Sequence, residues 1–329
     1  MYSYSIILPV RNGGEYVKEC VQSILQQVHS NFNLIVLDNN STDGTVEWIT
    51  SLNDKRIVVY RSDKSLTIEE NWGRIKGVPK NEFMTMIGHD DLLQPHYLQE
   101  MDNLIAKHPQ AGLYQTHFSF INEKGVEVRP CQPMDEVQTV HEFLACQFAR
   151  TIESTGTGYL MRSADFDTAG GMPASYPNLI FADFDLWVTL MARRYKATSV
   201  KNCFSYRLHQ SLSRTTNGML YAQAFINYLQ FLNEFKKGRP LVNDVIDRYG
   251  KSFILFYCES LSHRLLKTPL ANRSWKVIDF VKKCEQLAAD LIPGQSLQPL
   301  RVRRIELARQ LDASSLGRGI FNLYKKLVR

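Results

Sequence analysis

The sequence has no CxxC pair, no long apolar run, no glycine-rich basic phosphate loop near its start, and no internal repeat or low-complexity tract. Each absence excludes something. The six cysteines, at positions 20, 131, 146, 203, 258 and 284, match neither a disulfide framework nor a zinc-site spacing, which implies reduced thiols in a cytosol. No apolar stretch approaches the roughly 18 residues that a membrane-spanning helix needs. The opening MYSYSIILPVRNGG lacks a basic leader and an apolar segment long enough for a signal peptide, so a cytoplasmic location is expected, with any membrane attachment peripheral. A general excess of one charge is also missing. Net charge is +6, yet residues 301–329 carry eight Lys/Arg against Glu306 and Asp312, so the other 300 residues balance to zero. The main body is therefore no general polyanion binder, and no nucleic-acid partner is expected. Only the tail offers a surface for anions.

What is present is ordinary globular composition: 329 residues, 44% hydrophobic and 22% charged, enough for one large domain or two smaller ones. The first half alternates strand and helix signals. Residues 5–10 (SIILPV), 34–37 (LIVL), 57–60 and 82–87 read as strands. Val17, Cys20, Val21, Ile24, Leu25 and Val28 recur at helical spacing, residues 45–52 read as a helix, and Pro95 is placed to open another that runs to about Lys107. Such alternation predicts an α/β fold with a parallel sheet and helices on both faces, whose ligands bind beyond the carboxyl ends of the strands. Three polar clusters lie at such ends, Arg11–Gly14, Asp38–Asp43 and His89–Asp91, and together they predict one site. Residues 122–180 read as loop-rich. Asp183 opens a strong helical pattern, residues 197–206 are strand-like, and from about Asn217 the pattern is almost entirely helical. A boundary near residue 216 follows, with a domain at 1–216 and a helical region at 217–329.

The chemistry-bearing residues start with MIGHDDLLQP, where an apolar run ends in Gly88, His89, Asp90 and Asp91. Adjacent carboxylates repel unless a positive charge neutralises them. A hard divalent cation held against phosphate oxygens would do so, since Mg²⁺ or Mn²⁺ commonly takes only one or two carboxylates. Equally, Asp90 can be a plain turn residue, Asp91 a helix cap and His89 a solvated loop imidazole. In LIVLDNNSTDGT, Asn39 can accept from an imino N–H and donate to a carbonyl, as the edge of uracil or thymine requires, although the same residues make an ordinary turn.

Taken together, SIILPVRNGGEYVKECVQSILQQ, LIVLDNNSTDGT, MIGHDDLLQP, the Gly170-Gly171 pair with FADFDLW (181–187), and YRLHQSLS (206–213) resemble, in order and spacing, family 2 glycosyltransferases of the GT-A fold. The resemblance covers about residues 3–214. It implies a Rossmann-like, mixed but mostly parallel sheet, with a helical C-terminal extension here. It implies inverting transfer from a nucleotide-diphosphate sugar. Asp90 matches the metal-binding Asp, His209 a residue facing metal or diphosphate, Asp38 the acidic residue at the base, and Asp183 the catalytic base. Pro9, Val10, Arg11, Asn12, Asn39 and His89 fall on the donor-nucleotide side, with Asp91, Asp185 and Arg207 in support. Mn²⁺ or Mg²⁺ is the expected cofactor, and UDP or dTDP the preferred donor nucleotide. Three positions depart from the pattern: Gly88 replaces the first Asp of Asp-x-Asp, Asn39 a second Asp, and Ala182 the Glu before the catalytic Asp, where Asp185 is the available substitute.

The expected role is in lipopolysaccharide, O-antigen, capsule or other surface-glycan synthesis, with a glycan or lipid-linked glycan as acceptor. Two rival readings are a nucleotidyltransferase, for which Arg11–Gly14 makes a poor phosphate loop, and a non-catalytic assembly subunit of the same fold. Past Arg301, basic residues interleave with Ile305, Leu307, Leu311, Ile320, Phe321, Leu323, Leu327 and Val328. That pattern fits either an interfacial helix on an anionic inner-membrane face or helices packed on protein.

Overall fold

The structure is a computed structural model and describes residues 2–208 and 217–327. By internal contacts the chain forms two compact units, one of Met1–Phe143, Ile152–Ala174 and Ala182–Ser211, the other of Leu144–Thr151, Ser175–Phe181 and Leu212–Arg329. The strands are β1 (Tyr4–Val10), β2 (Phe32–Asp38), β3 (Ile57–Arg61), β4 (Phe83–Met86), β5 (Leu92–Leu93), β6 (Leu113–Ile121), β7 (Glu127–Pro130), β8 (Val137–Thr139), β9 (Tyr159–Arg162) and β10 (Tyr195–Arg207). The helices of the first two-thirds are α1 (Gly14–Leu25), α2 (Thr45–Ser51), α3 (Ile68–Gly73), α4 (Tyr97–Lys107), α5 (Val140–Ala149), α6 (Ser163–Thr168) and α7 (Ala182–Met191).

The first unit is built on one sheet of order β3-β2-β1-β4-β9-β6-β10-β5, with β7 paired to β6 and β8 to β10. Strands β3, β2, β1 and β4 run parallel, as do β6 and β10, whereas β9 is antiparallel to both β4 and β6. All seven residues of β1 are buried, which is why its sequence is a continuous apolar run and not an alternating one. Pro9 lacks a ladder N–H, and its place near the end of β1 lies past Ile7, where pairing to β4 stops. On α1, Val17, Cys20, Val21 and Ile24 form the buried stripe at helical spacing.

Register positions the site. Val10 pairs with Asp38 and Asp38 with Arg61, so the carboxyl ends of three parallel strands lie in one row. Antiparallel pairing of Leu93 with Phe204 and Leu92 with Ser205 runs the chain just before β5 back along the end of β10, bringing Asp90 and Asp91 to Tyr206 and Arg207.

Two expectations need correction. Helix α4 begins at Tyr97 with His96 as its N-cap, so Pro95 precedes the helix. Residues 122–180, read as loop-rich, also hold β7, β8, α5, β9 and α6 between their loops. Strand β7 is exposed throughout and α5 (VHEFLACQFA) is apolar nearly all round, so neither carries a one-sided pattern to read.

The second unit carries α8 (Gly218–Phe235), α9 (Pro240–Lys267), α10 (Val277–Leu291), α11 (Arg303–Ala313) and α12 (Ser315–Leu327). Its interior is aromatic, with Phe148 stacked on Phe253 at 4.3 Å and Phe225 on Tyr257 at 5.0 Å. Asp312 is buried, accepts from the Val277 N–H at 2.8 Å, and pairs with Arg273 and Arg318. These contacts tie the end of α11 to the turns that precede α10. No described helix is long and apolar enough to cross a membrane.

Candidate active site

Two loops interlock at the carboxyl ends of β1 and β2. The Asn12 N–H donates to Ser41 Oγ at 2.9 Å, the Gly13 N–H to Thr45 Oγ1 at 3.0 Å and the Gly14 N–H to Asp43 Oδ2 at 3.0 Å. Asn12, in the left-handed region at φ 52°, accepts in return from the Thr42 N–H at 2.8 Å. The amides that a phosphate loop would turn toward a triphosphate are thus occupied by side chains of the neighbouring loop. This disfavours the nucleotidyltransferase reading. Pro9 and Val10 end β1 in the core, the Val10 carbonyl accepts from the Asn39 N–H at 2.8 Å, and Arg11 projects into solvent.

Asp38 is fully buried, accepts from the Ser41 N–H at 3.3 Å on each oxygen, and lies 3.9 Å from Arg61. Arg74 reaches the Asp38 carbonyl at 2.9 Å and the Tyr60 carbonyl at 2.7 Å, joining the ends of β2 and β3. Sequence reasoning missed Arg61, which the sheet register brings to Asp38, and Arg74, which reaches it from the turn after α3. Asn39 uses the donor and acceptor expected to read a base edge on a peptide instead: its Nδ2 donates to the Leu66 carbonyl at 3.0 Å and its Oδ1 accepts from the Leu66 N–H at 2.6 Å.

At the carboxyl end of β4, His89 and Asp90 are half-buried and Asp91 is buried. Asp91 Oδ1 accepts from the Arg207 N–H at 3.0 Å and Oδ2 from Thr157 Oγ1 at 2.8 Å. Burial and the adjacent Asp90 carboxylate push the Asp91 carboxyl well above the usual range. Of the two roles open to Asp91, ordering the loop and capping the next helix, its contacts fit the first; His96 holds the N-cap position of α4 without a side-chain cap bond. Arg207, also buried, donates from Nε to the Asp90 carbonyl at 2.7 Å, from Nη1 to the Asn122 and Glu123 carbonyls, and from Nη2 to Glu19 at 2.6 Å. The Arg207 guanidinium stacks on Tyr16 at 4.6 Å.

Gly88 has a local reason. A Cβ there would lie 2.6 Å from Asp90 Oδ1 and 3.1 Å from Asp91 Oδ2, so the two carboxylates converge over the bare glycine. As a metal donor set this fits a hard cation in one respect only. Both Asp91 oxygens serve protein donors, so Asp90 is the candidate ligand, and the remaining coordination would come from phosphate and water. No cluster of three or more His, Cys, Asp or Glu with metal-site geometry occurs among the described residues. His209, the other expected metal-side residue, lies outside them.

Asp183 stands in the first turn of α7, half-buried. Desolvation raises its carboxyl from 3.8 to about 6, against the opposing pull of its own N–H and that of Phe184. Ala182, fully buried, precedes it, and Asp185 accepts from Thr189 Oγ1 at 3.3 Å.

Two observations join these groups. Gly156 adjoins Asp183, whose Oδ2 would lie 3.8 Å from a Cβ at position 156, and the next residue, Thr157, holds Asp91. The Tyr206 phenol is pushed up to about 12 by burial and by the negative charges of Asp91, Asp90 and Asp183. Thr157 and Glu19 escaped the sequence reading, being 66 and 188 residues from their partners.

The glycosyl transferase family 2 model matches residues 5–166. Residues 5–166, about half of the chain, carry the likeness to this family. That span takes in the loops at residues 11–14, 38–43 and 88–91 but not Asp183 or Arg207. Among relatives, an uncharacterized glycosyltransferase of Rickettsia typhi is 34% identical over 103 residues, 31% of this chain and 32% of that protein. The Escherichia coli UDP-Glc:alpha-D-GlcNAc-diphosphoundecaprenol beta-1,3-glucosyltransferase WfgD is 23% identical over 64% of this chain and 79% of its own. The chain spans about a third of the length of the first curated relatives it matches. Staphylococcus aureus TarS, solved with UDP-GlcNAc, superposes at a TM-score of 0.58 and 13% identity, covering 94% of this chain and 90% of that one. Mannosyltransferase PcManGT of Pyrobaculum calidifontis, solved with GDP-Man and Mn²⁺, does so at 0.55 and 14%, covering 99% and 88%. These likenesses establish the GT-A fold.

Proposed function

We propose that this chain is an inverting, divalent-metal-dependent glycosyltransferase that moves a sugar from a nucleoside-diphosphate donor to an acceptor hydroxyl in surface-glycan synthesis. The observation that carries this is the link between the carboxylates: Thr157 holds Asp91, which follows Asp90, and the neighbouring Gly156 adjoins Asp183. Asp90 is the candidate cation ligand, ordered by Asp91 beside it, and Asp183 is a carboxylate of raised pKa. Mn²⁺ or Mg²⁺ held by Asp90 would stabilise the charge growing on the departing diphosphate. Asp183 takes the proton of the attacking hydroxyl. Its midpoint of about 6 makes it a better base than an exposed carboxylate while leaving it ionised at neutral pH. Arg207 fixes the loop that presents Asp90. The family resemblance assigns Asp38, with Arg61 beside it, to the base end of the site, and Pro9, Val10, Arg11, Asn12 and His89 to the donor side.

A uridine donor is favoured by the ligands of TarS and by the donor named for WfgD, and dTDP shares its hydrogen-bonding edge. Asn39 does not support this preference, since its amide is engaged with Leu66. WfgD's lipid-diphosphate acceptor is the model for the acceptor class. Attachment to an anionic cytoplasmic membrane face is supported by α12, where Leu316, Ile320 and Leu323 are exposed at helical spacing in the most basic part of the chain.

The test is thermal unfolding with UDP, dTDP, GDP and CDP, each with and without Mn²⁺, on wild type and Asp90→Asn. The expected result is a rise in Tm with one nucleotide, dependent on Mn²⁺ and absent in the variant. At 100 times Kd the stabilisation is about 2.7 kcal/mol. A nucleotide shift that survives in Asp90→Asn would remove Asp90 from the metal role. No shift with any nucleotide would favour the non-catalytic reading.

A further inference from the structure

The second unit holds a cavity of about 890 Å³ that the transferase reading does not use. It is lined along α9 by Glu259, His263, Arg264 and Lys267, and by Arg304 at the start of α11, with Asn217, Ser260, Thr268 and Asn272 adding polar groups and Phe256 and Pro269 apolar ones. Three permanent cations face one carboxylate. Arg304 pairs with Glu259 at 3.1 Å but keeps 76% of its side chain exposed, and Lys267 is exposed. Arg264 stacks on Tyr221 at 3.7 Å, which fixes its guanidinium in place. His263 Nε2 is shielded from solvent and has no hydrogen-bond partner among the described residues. Burial and the nearby Arg304 and Lys267 charges hold the imidazole below its ordinary range, against Glu259.

Like charges gathered around one concavity repel, and without an occupant the arrangement costs energy. Guanidinium and ammonium groups lining a cleft together with hydroxyl and amide groups match the oxygens of a phosphate or diphosphate. The volume lies in the range of small-molecule sites, and the apolar wall at Phe256 and Pro269 leaves room for an organic substituent.

We infer that this cavity of the helical unit is a binding site for a phosphate or diphosphate ester, separate from the donor site, with Lys267, Arg304 and Arg264 as its cationic contacts. The group can belong to a lipid headgroup or to a soluble molecule, and the inference stands whether or not the chain transfers sugar.

The test is calorimetric titration of the full chain with inorganic pyrophosphate in metal-free buffer, and sedimentation with vesicles of phosphatidylcholine carrying phosphatidic acid. Each is run on wild type, Lys267→Ala/Arg304→Ala, and the control Lys251→Ala, which is exposed on the same helix but outside the cavity. Both substituted cations are exposed, so the double variant folds, and an unchanged Tm checks this. Saturable pyrophosphate binding that weakens at least tenfold in the double variant and is unchanged in the control would establish a soluble-ligand site. Vesicle binding alone, lost in the double variant and kept in the control, would assign the site to a lipid phosphate. Equal behaviour of wild type and double variant in both assays overturns the proposal. UDP-dependent stabilisation at Asp90 is measured separately, so failure here and failure of the transferase reading remain distinguishable.

Discussion

Asp183 offers the sharpest test, because its catalytic and structural effects run in opposite directions. Desolvation lifts its carboxyl to about 6 from an ordinary 3.8. A carboxylate whose native midpoint exceeds its unfolded one binds more protons in the folded state. Its contribution to stability is thus fully present below pH 3.8 and is lost as pH rises through 6. At about 1.4 kcal/mol per pH unit, the ionised group costs the fold up to about 3 kcal/mol at neutral pH. Asparagine resembles the protonated carboxyl in shape and charge. Asp183→Asn should therefore unfold at higher urea than wild type at pH 8, by about 1–3 kcal/mol, and the gain should vanish near pH 4. Transfer should fall about 10²- to 10⁴-fold, the usual worth of a positioned base. In wild type, kcat/KM should rise with pH through a midpoint near 6. The measurements are urea unfolding at pH 4, 6 and 8 and radiolabelled sugar transfer over the same range. A variant that keeps more than a tenth of the activity, or that is less stable than wild type at pH 8, refutes the assignment of Asp183 as a desolvated base.

Three further outcomes follow from particular contacts. Arg207→Met removes the side-chain donor to the Asp90 and Glu123 carbonyls, leaves the Asn122 carbonyl with the Gly125 N–H alone, and unpairs Glu19. It should lower stability by about 1–3 kcal/mol in urea unfolding, the cost of leaving part-buried carbonyls unsatisfied, and no loss would contradict the clamp. Asn39→Ala removes both bonds to Leu66 and should cost about 1–3 kcal/mol, while the ratio of UDP to GDP affinity stays within twofold; a collapse of that ratio would restore Asn39 as a base reader. Replacing Leu316, Ile320 and Leu323 together by serine should weaken sedimentation with anionic vesicles at least tenfold without moving Tm, and unchanged sedimentation would take α12 off the membrane.

Legibility in the sequence followed the range of the contacts. Strands β1 and β2 announce themselves because parallel strands buried on both faces are written as unbroken apolar runs. The stripe on α1 is equally plain, and the polar clusters after β1, β2 and β4 fall at strand ends, where such sheets bind ligands. From that much, the segments holding Asp38 and Asp90 could be singled out, while the role of Asp183 came from the family resemblance. Their support could not, because every partner comes from a distant segment: Glu19 and Arg207 are 188 residues apart, and Asp91 and Thr157 are 66 apart. Residues 122–180 were opaque because an exposed strand and an all-round apolar helix carry no one-sided periodicity. Asn39 failed differently. Its amide presents one donor and one acceptor side by side, and a peptide group offers the complementary pair just as a uracil edge does. The residue type specifies the hydrogen-bonding pattern but not the partner, and the partner here is the chain itself. The cationic cavity was least legible. His263, Arg264 and Lys267 form part of an ordinary solvated helix pattern, and Arg304 joins them only because α11 returns to α9. A charge cluster whose members are local in sequence reads as a helix face; it becomes a site only when a separate element closes it.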